Sequence, residues 1–444
     1  MFFAEFLIVI LAMIIGARWG GIFFGMAGGL GLGILVYGFG LAPSNPPINV
    51  MLIMMAVVLA ASTLQTAGGM DVLVRIAEKM LRRNPRHIVF VAPLIAWLFT
   101  FMAGTGNVLY NLLPVIAEVS RETGIRPERP ISISVIASQH AVPSSPISAA
   151  TVAMVAFLAP LSVTYFQILA IVVPATIIGI LCGACSVYKK GLELEKDPQY
   201  LEKLKNGLFS EKNIQKKQAL GTANGFSKHA KLSVYVFLIA AIAVVLVGTF
   251  PELRPHVTNA AGKSFTVGMT QMIEIVMLIS AAFMVMFCRA DVDKITSSSV
   301  FKAGMMGVVT IFGLAWMSDT WIANNLPMIK SQVATIVQNK PYLFALALFL
   351  VSALTHSQGA TVGALIPLGI ALGIDGLTLV AMYPAVCGYF IIPSTGVLLA
   401  GVAFDDTGTT KIGKWVVNHS YILPGFVATF CAVASGFIIR YTFF

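Results

Sequence analysis

Long apolar runs alternate with short polar interruptions along this chain, and the clearest interruption is ASQHAVPSSPISA at 137–149. It sits inside a stretch from Pro130 to Tyr188 that contains no Lys, Arg, Asp or Glu. A run of that length and polarity belongs within a bilayer. Gln139, His140, Pro143, Ser144, Ser145 and Pro146 interrupt it. Each proline removes a backbone donor and clashes with the preceding turn, so the helix is expected to unwind there. Unwound backbone at membrane depth persists only where it is buried in protein or lines a wet cavity. Ser145-Pro146 reads as an N-cap followed by a first helical residue, so a half-helix is expected to restart there and present about half a positive charge to the break. A proline kink closed by neighbouring helices is the plainer alternative.

The same pattern returns near the C-terminus, which argues against the plainer alternative. Gly106 and Pro114 match Gly359 and Pro367 at an offset of 253 residues, and Pro143-Ser144-Ser145 finds Pro393-Ser394-Thr395 at an offset of 250. Paired Gly/Pro interruptions at corresponding places in two halves point to a transporter's binding site. Spans are expected at 2–16, 20–38 and 50–66, followed by a basic amphipathic stretch at 70–86 lying along the cytoplasmic surface. Residues 87–118 are uncharged over most of their length and broken at Gly104-Thr105-Gly106-Asn107. Neither piece reaches the ~20 residues of a full span, so a re-entrant hairpin is expected. A broken helix at 130–160 and a span at 166–187 complete a first repeat, 1–188. After a polar linker at 189–231 the second repeat, 232–444, follows the same plan. It has spans at 232–249, 267–287 and 301–321, a hairpin at 341–373 broken at Thr355-His356-Ser357-Gln358, a broken helix at 376–404 and a last span at 415–439. The fold class expected is therefore an all-α polytopic membrane protein of two inverted-topology repeats, with about ten transmembrane helices and two re-entrant hairpins.

Composition agrees with this reading: 57% of residues are hydrophobic and 11% charged. The net charge of +10 is topological, since no basic patch interleaved with aromatics marks a nucleic-acid surface. Placing both termini outside, in the periplasm, leaves only Arg254, Lys263, Lys330, Lys340 and Arg440 of the 29 Lys and Arg on that side, as the positive-inside rule requires. Segment 2–16 carries Glu5 where a signal peptide has a basic region, so it reads as a retained span. Gly21, Gly25, Gly29 and Gly33 recur every four residues and suggest a close-packing stripe. Cys182 and Cys185 have CxxC spacing inside an expected span, with no redox or metal context around them. The charge run of the linker, ten Lys against five acidic residues, reads as a solvated connection.

The chemistry at the breaks is neutral. In the first half it comes from Thr105, Gly106, Asn107, Ser138, Gln139, His140, Ser144 and Ser145, and in the second from Thr355, His356, Ser357, Gln358, Ser394 and Thr395. Hydroxyls, amides and imidazoles beside half-helix N-termini suit carboxylate groups without an Arg or Lys clamp, and carbonyls freed at the breaks suit a cation. No cofactor or resident metal is expected; sodium or a proton is the conceivable coupling ion, with His140 and His356 the residues able to exchange a proton near neutrality. A neutral, hydrogen-bonded histidine is the plainer reading of each. Glu274 lies in a span as a second candidate for coupling, and Asp405 and Asp406 follow the last broken helix. No cluster of catalytic carboxylates, nucleophile with base, or metal ligands points to an enzyme. A channel would need a continuous pore.

These residues also carry a resemblance. GTGNVLYNLLPVIAEV at 104–119, RRNP at 82–85, RPERP at 126–130, ASQ followed by SSPIS at 137–148, and DDTGTTKIGKWVVNHSYILPG at 405–425 resemble the anaerobic C4-dicarboxylate transporter (Dcu) family over essentially the whole chain. The resemblance implies an inner-membrane carrier that takes up fumarate, malate or aspartate and releases succinate, in the branch associated with aspartate and succinate exchange. It also implies membership of a larger superfamily of homodimeric elevators. The family usually shows threonine at the position of Pro143, alanine at Ser144 and Pro-Thr-Tyr-Pro at 393–396, and the two break histidines are not part of its pattern.

Overall fold

The computed structural model describes residues 1–19, 22–205, 227–258, 262–329, 340, 342–392, 395–413 and 418–444. It is an all-α polytopic membrane protein. Among the described residues, eight helical segments are long and apolar enough to cross a membrane. The first half contains α1 (Phe2–Trp19), α2 (Phe23–Gly33), α3 (Ile48–Thr66), α4 (Gly69–Arg83), α5 (Ile88–Ala103), α6 (Leu109–Glu122), α7 (Glu128–Ser144), α8 (Ala149–Leu158) and α9 (Tyr165–Val187). After α10 (Pro198–Lys205) come α11 (Lys228–Thr249), α12 (Met269–Cys288), α13 (Ser299–Thr310) and α14 (Trp316–Ile329). Then follow α15 (Tyr342–Thr355), α16 (Gln358–Ala371), α17 (Gly376–Met382), a 3-10 segment at Tyr383–Phe390, α18 (Gly396–Ala403) and α19 (Ile422–Phe443). A small antiparallel pair, His256–Thr258 with Ser264–Thr266, lies between α11 and α12.

The breaks marked at 104–107, 143–146 and 355–358 fall between two helices here, and Pro393 and Ser394 of the fourth lie outside the described residues. α5 ends on Gly104, whose φ of +70° suits glycine and whose missing side chain admits the Ile147 carbonyl; an added Cβ would stand 2.9 Å from that oxygen. α4 is amphipathic, burying Met70, Leu73, Ala77 and Leu81 while its arginines face outward.

Several expectations need correction. The first hairpin arm, with the turn before it, is a 19-residue helical run, Pro85–Ala103, long and apolar enough to cross a membrane, so length does not argue for the hairpin. The half-helix α8 restarts at Ser148, whose hydroxyl accepts the Thr151 amide at 3.2 Å, and not at Ser145-Pro146. The turn at Ser145–Ser148 consumes three more residues because the Ser148 amide bonds back to the Ser145 carbonyl at 3.3 Å. The close-packing glycines of α2 are Gly25 and Gly28, whose Cβ positions would collide with backbone at Val309 and Gly313. Gly29 and Gly33 have nothing within 4 Å; Gly21 is outside the described residues. A four-residue spacing drifts around a helix of 3.6 residues per turn, so one face cannot keep the whole series.

The last helix begins at Ile422 and not near 415, because the segment after α18 folds around Asp405. That carboxylate, 4% exposed, accepts from the amides of Thr407 and Thr410 and from the hydroxyls of Thr407 and Thr409. The beginning of the linker is docked and not solvated. Arg126 bridges Glu128 and Asp197, and Arg129 reaches Glu193 and the carbonyls of Lys190 and Gly191. Lys190 and the Ser420 hydroxyl meet Glu128 at 3.3 and 2.8 Å, so linker, α7 and the Asp405 segment form one polar cap. In that cap, burial pushes the His419 imidazole below its ordinary range, although it donates to the Ile391 carbonyl.

Candidate functional site

The break at Thr355–Gln358 opens polar groups onto a cavity. His356 takes the left-handed region, with φ of +51°, and reverses the chain. Ser357 then caps α16, its hydroxyl accepting the Ala360 amide at 3.2 Å. Capping uses one amide and leaves those of Gln358 and Gly359 as the free donors of the first turn. Thr355 bonds inward to Thr361 at 2.8 Å and to the Ser357 carbonyl at 3.1 Å, holding the turn.

This turn faces the turn between α5 and α6 across a cavity of about 260 Å³. Thr105, Gly106, His356, Ser357 and Gln358 line it together with the beginning of α8 at Ala149 and Ala150. α3 and α13 close the opposite wall, where Val58 and Gly304 are in contact. None of the described lining residues is Asp, Glu, Lys or Arg. Three helix beginnings therefore border one uncharged cavity: the turn at Gly106 leading into α6, α8 after Ser148, and α16 after Ser357. Such beginnings offer amide donors and positive dipole ends, the chemistry that holds carboxylate groups.

Gln139 lies directly behind this wall. Its carbonyl accepts the Gln358 side-chain amide at 2.6 Å, joining the two halves of the chain, and Cys387 lies against the same pair. Gln139 is 3% exposed, and neither polar atom of its side chain has a partner. Cys387 was not singled out from sequence, since a lone cysteine in an apolar segment carries no signal.

Other predicted residues are turned elsewhere. Ser144 bonds to the His140 carbonyl at 3.0 Å and shares a hydrogen bond with Thr176 of α9 at 2.7 Å. Ser145 donates to the Phe101 carbonyl at 2.7 Å and seals the break. Ser138 shares a 2.8 Å bond with Thr100. His140 is fully buried, its Nδ1 on the Ile136 carbonyl at 3.0 Å and its Nε2 on the Thr429 hydroxyl at 3.2 Å. Facing a carbonyl, Nδ1 is the donor, while Nε2 meets a hydroxyl that can donate or accept. Thr395 begins α18 away from the cavity, with Tyr110 packed over the neighbouring Gly396. Ser394 lies outside the described residues, and so does the side chain of Asn107. Glu274 is half-buried on α12, and Cys182 and Cys185 are free thiols.

The carbonyls freed at the first break are claimed by the chain itself. Ser148 and Thr151 donate to Val142 at 2.6 and 3.2 Å, Thr151 donates to Pro143 at 2.9 Å, and the Tyr165 hydroxyl donates to Pro146. A buried carbonyl already paired this way is a poor ligand for a cation.

Comparison with known proteins adds the family. A family model described as anaerobic C4-dicarboxylate membrane transporter matches residues 1–444. The C4-dicarboxylate transporter DcuA of Wolinella succinogenes is 42% identical over 440 residues, covering 98% of each chain. DcuA of Escherichia coli strain K12 is 40% identical, covering 99% of each. The anaerobic C4-dicarboxylate transporter DcuB of Escherichia coli O6:H1 is 36% identical, covering 99% of this chain and 98% of its own. Among solved structures, Neisseria gonorrhoeae MtrF, of a class of antimetabolite efflux pumps, aligns over 92% of this chain and 84% of its own at 12% identity, with a TM-score of 0.49. That likeness is too weak to bear on fold or function. With a match from the first residue to the last and relatives at this identity, the chain is a multi-pass membrane transporter, not an enzyme, and belongs to the anaerobic C4-dicarboxylate membrane transporter family.

Proposed function

We propose that the protein exchanges external fumarate, malate or aspartate for internal succinate by alternating access, with the substrate held at the hairpin-tip cavity. The observation that carries this reading is the meeting of helix beginnings from both halves at an uncharged cavity, tied by the Gln358–Gln139 bond. A dicarboxylate there would take the amides at Gly106, Gln358 and Gly359 and the side chains of Thr105, Ser357 and Gln358. Gln139 supports Gln358 from behind. Ser144, Ser145 and Thr395 are assigned to shaping the two broken helices.

Crosswise packing supports an inverted repeat of 1–188 and 232–444. α5 packs on α7 as α15 packs on Tyr383–Phe390, while α6 meets α18 and α16 meets α8. The second arm of each hairpin thus rests on the far half-helix of the other repeat. We take α5–α8 and α15–α18 as one unit that moves in an elevator manner against α3, α11, α12 and α13. The protein is placed in the bacterial inner membrane as a homodimer, both termini periplasmic.

Sodium- or proton-coupled uptake is the second reading. The claimed carbonyls of the first break weigh against sodium there, and the paired nitrogens of His140 leave His356 as the histidine at the cavity. Liposomes preloaded with succinate and given radiolabelled aspartate or fumarate, with and without sodium, test the proposal. Uptake that requires internal succinate and ignores sodium is expected. Uptake into empty liposomes that needs a sodium or proton gradient would replace exchange by symport.

A further inference from the structure

Asp319, on α14, is a carboxyl inside a membrane span that forms no hydrogen bond or ion pair among the described residues. It is half-buried and lines a second cavity, of about 280 Å³, with Pro46, Pro47, Asn49, Phe157 and Thr270. A carboxylate without a partner in a membrane-spanning segment is costly and marks a functional position.

The cavity is built, not incidental. Trp316, Thr320 and Asn324 stand on one face of α14 at four-residue spacing and strap the Ala42–Pro47 segment over it. Trp316 donates to the Ser44 carbonyl at 2.6 Å, the Ser44 amide donates to Thr320 at 3.1 Å, and Asn324 donates to the Ala42 carbonyl at 2.8 Å. This strap holds the two prolines as a wall beside Asp319.

The two cavities also share two walls. The hairpin-tip cavity lies against the middle of α3 and the beginning of α8; the Asp319 cavity lies against Ile48–Val50 of α3 and Ala156-Phe157 of α8. From Ala150 to Phe157 is seven residues of helix, roughly 10 Å along one seam. A dianion that reached the hairpin-tip cavity along that seam would pass the Asp319 carboxylate first.

Among the described residues that line the cavity there is no Lys, Arg or His to offset it. The titratable groups on neighbouring elements are Glu5, Arg18 and the Met1 amino group of the α1 segment, with Glu5 accepting from Asn325 at 2.7 Å, Glu274 on α12, one turn beyond Thr270, and His256 and Lys263 at the strand pair before α12; α2, α3, α8, α16 and the strap contribute none.

We propose that Asp319 is a proton-operated checkpoint for the substrate on the face where α8 ends, periplasmic in the topology above. A proton from that face adds to a carboxylate oxygen and removes the repulsion, the dicarboxylate passes to the hairpin-tip cavity, and the proton returns to the same face. No proton crosses with the substrate in this step, and acidity outside tightens apparent affinity without driving transport. The inference rests on the dicarboxylate-carrier reading.

The test is succinate exchange by the full-length protein in liposomes, measured separately from each face across the mildly acidic to neutral range. For the wild type, KM from the α8-end face is expected to fall about tenfold on acidification, beyond what the protonation of succinate itself produces in the variant. Asp319→Asn is expected to keep a low KM throughout with an unchanged maximal rate, and Asp319→Glu to restore the wild-type profile. Asn49→Asp, which adds a second carboxylate to the cavity, is expected to steepen the dependence. An Asp319→Asn profile equal to wild type, a profile that moves equally from both faces, or a fall in KM that needs sodium at fixed pH would each overturn the checkpoint. A wild type that does not exchange succinate at all would instead overturn the functional reading beneath it.

Discussion

The first broken helix and the second hairpin tip use the same residues to opposite ends. Both are rich in serine and threonine, and both interrupt an apolar run. At Ser144–Ser148 the hydroxyls of Ser145, Ser148 and Thr151 are spent on carbonyls of the chain, so the break is closed. At Thr355–Gln358 one hydroxyl caps the helix, and the remaining amides open on a cavity. The difference lies in what stands opposite. α9 and the Phe101 carbonyl fill the space beside Ser144 and Ser145, whereas the space beside Ser357 is bounded by the other hairpin tip. Polar residues at a membrane break are therefore either knots or ligands according to their neighbours, and substitutions can tell them apart.

The largest effect is expected at the open tip. Gln358→Glu places a carboxylate where a dicarboxylate is proposed to bind and should raise KM about a hundredfold, near 3 kcal/mol, read from initial rates of labelled succinate exchange. A KM within twofold of wild type would move the substrate elsewhere. At the closed break, Thr151→Val strands the Pro143 carbonyl and should lower stability by about 2 kcal/mol, seen as a lower unfolding temperature in detergent, with KM unchanged. If KM rose instead, the first break would be a ligand site and the contrast would fail.

Ser357→Ala removes a single cap. A loss of about 1 kcal/mol is expected, and because the cap orients the proposed donor amides, KM should rise severalfold in the same assay. Smallest is His140→Gln, with both ring nitrogens already paired within the fold: the pH profile of uptake should not shift. A shifted profile would return His140 to the coupling machinery.

The polar cap around Asp405 offers a second contrast. DDTGTTKIGKWVVNHSYILPG is a conspicuous run of polar and aromatic residues, yet Asp405 serves its own threonines, and Ser420 serves Glu128. A long distinctive motif here holds the linker and α7 together and lies apart from both cavities.

Helix membership, the placing of the breaks at Gly104 and Thr355 and the transporter class were legible in the sequence, because bilayer burial and proline sterics act over a few residues of local chain. Which hydroxyl caps α8 was not, since Ser145 and Ser148 are alike until the turn is closed. Nor was the fate of Ser144, which depends on Thr176, 32 residues away, nor the pairing of Gln139 with Gln358 across 219 residues. Asp319 drew no notice as one acidic residue in a span; its meaning comes from a strap 276 residues distant that walls it in. Local chemistry is written along the chain, whereas the empty space beside a polar group, which makes it a ligand, exists only once distant helices have met.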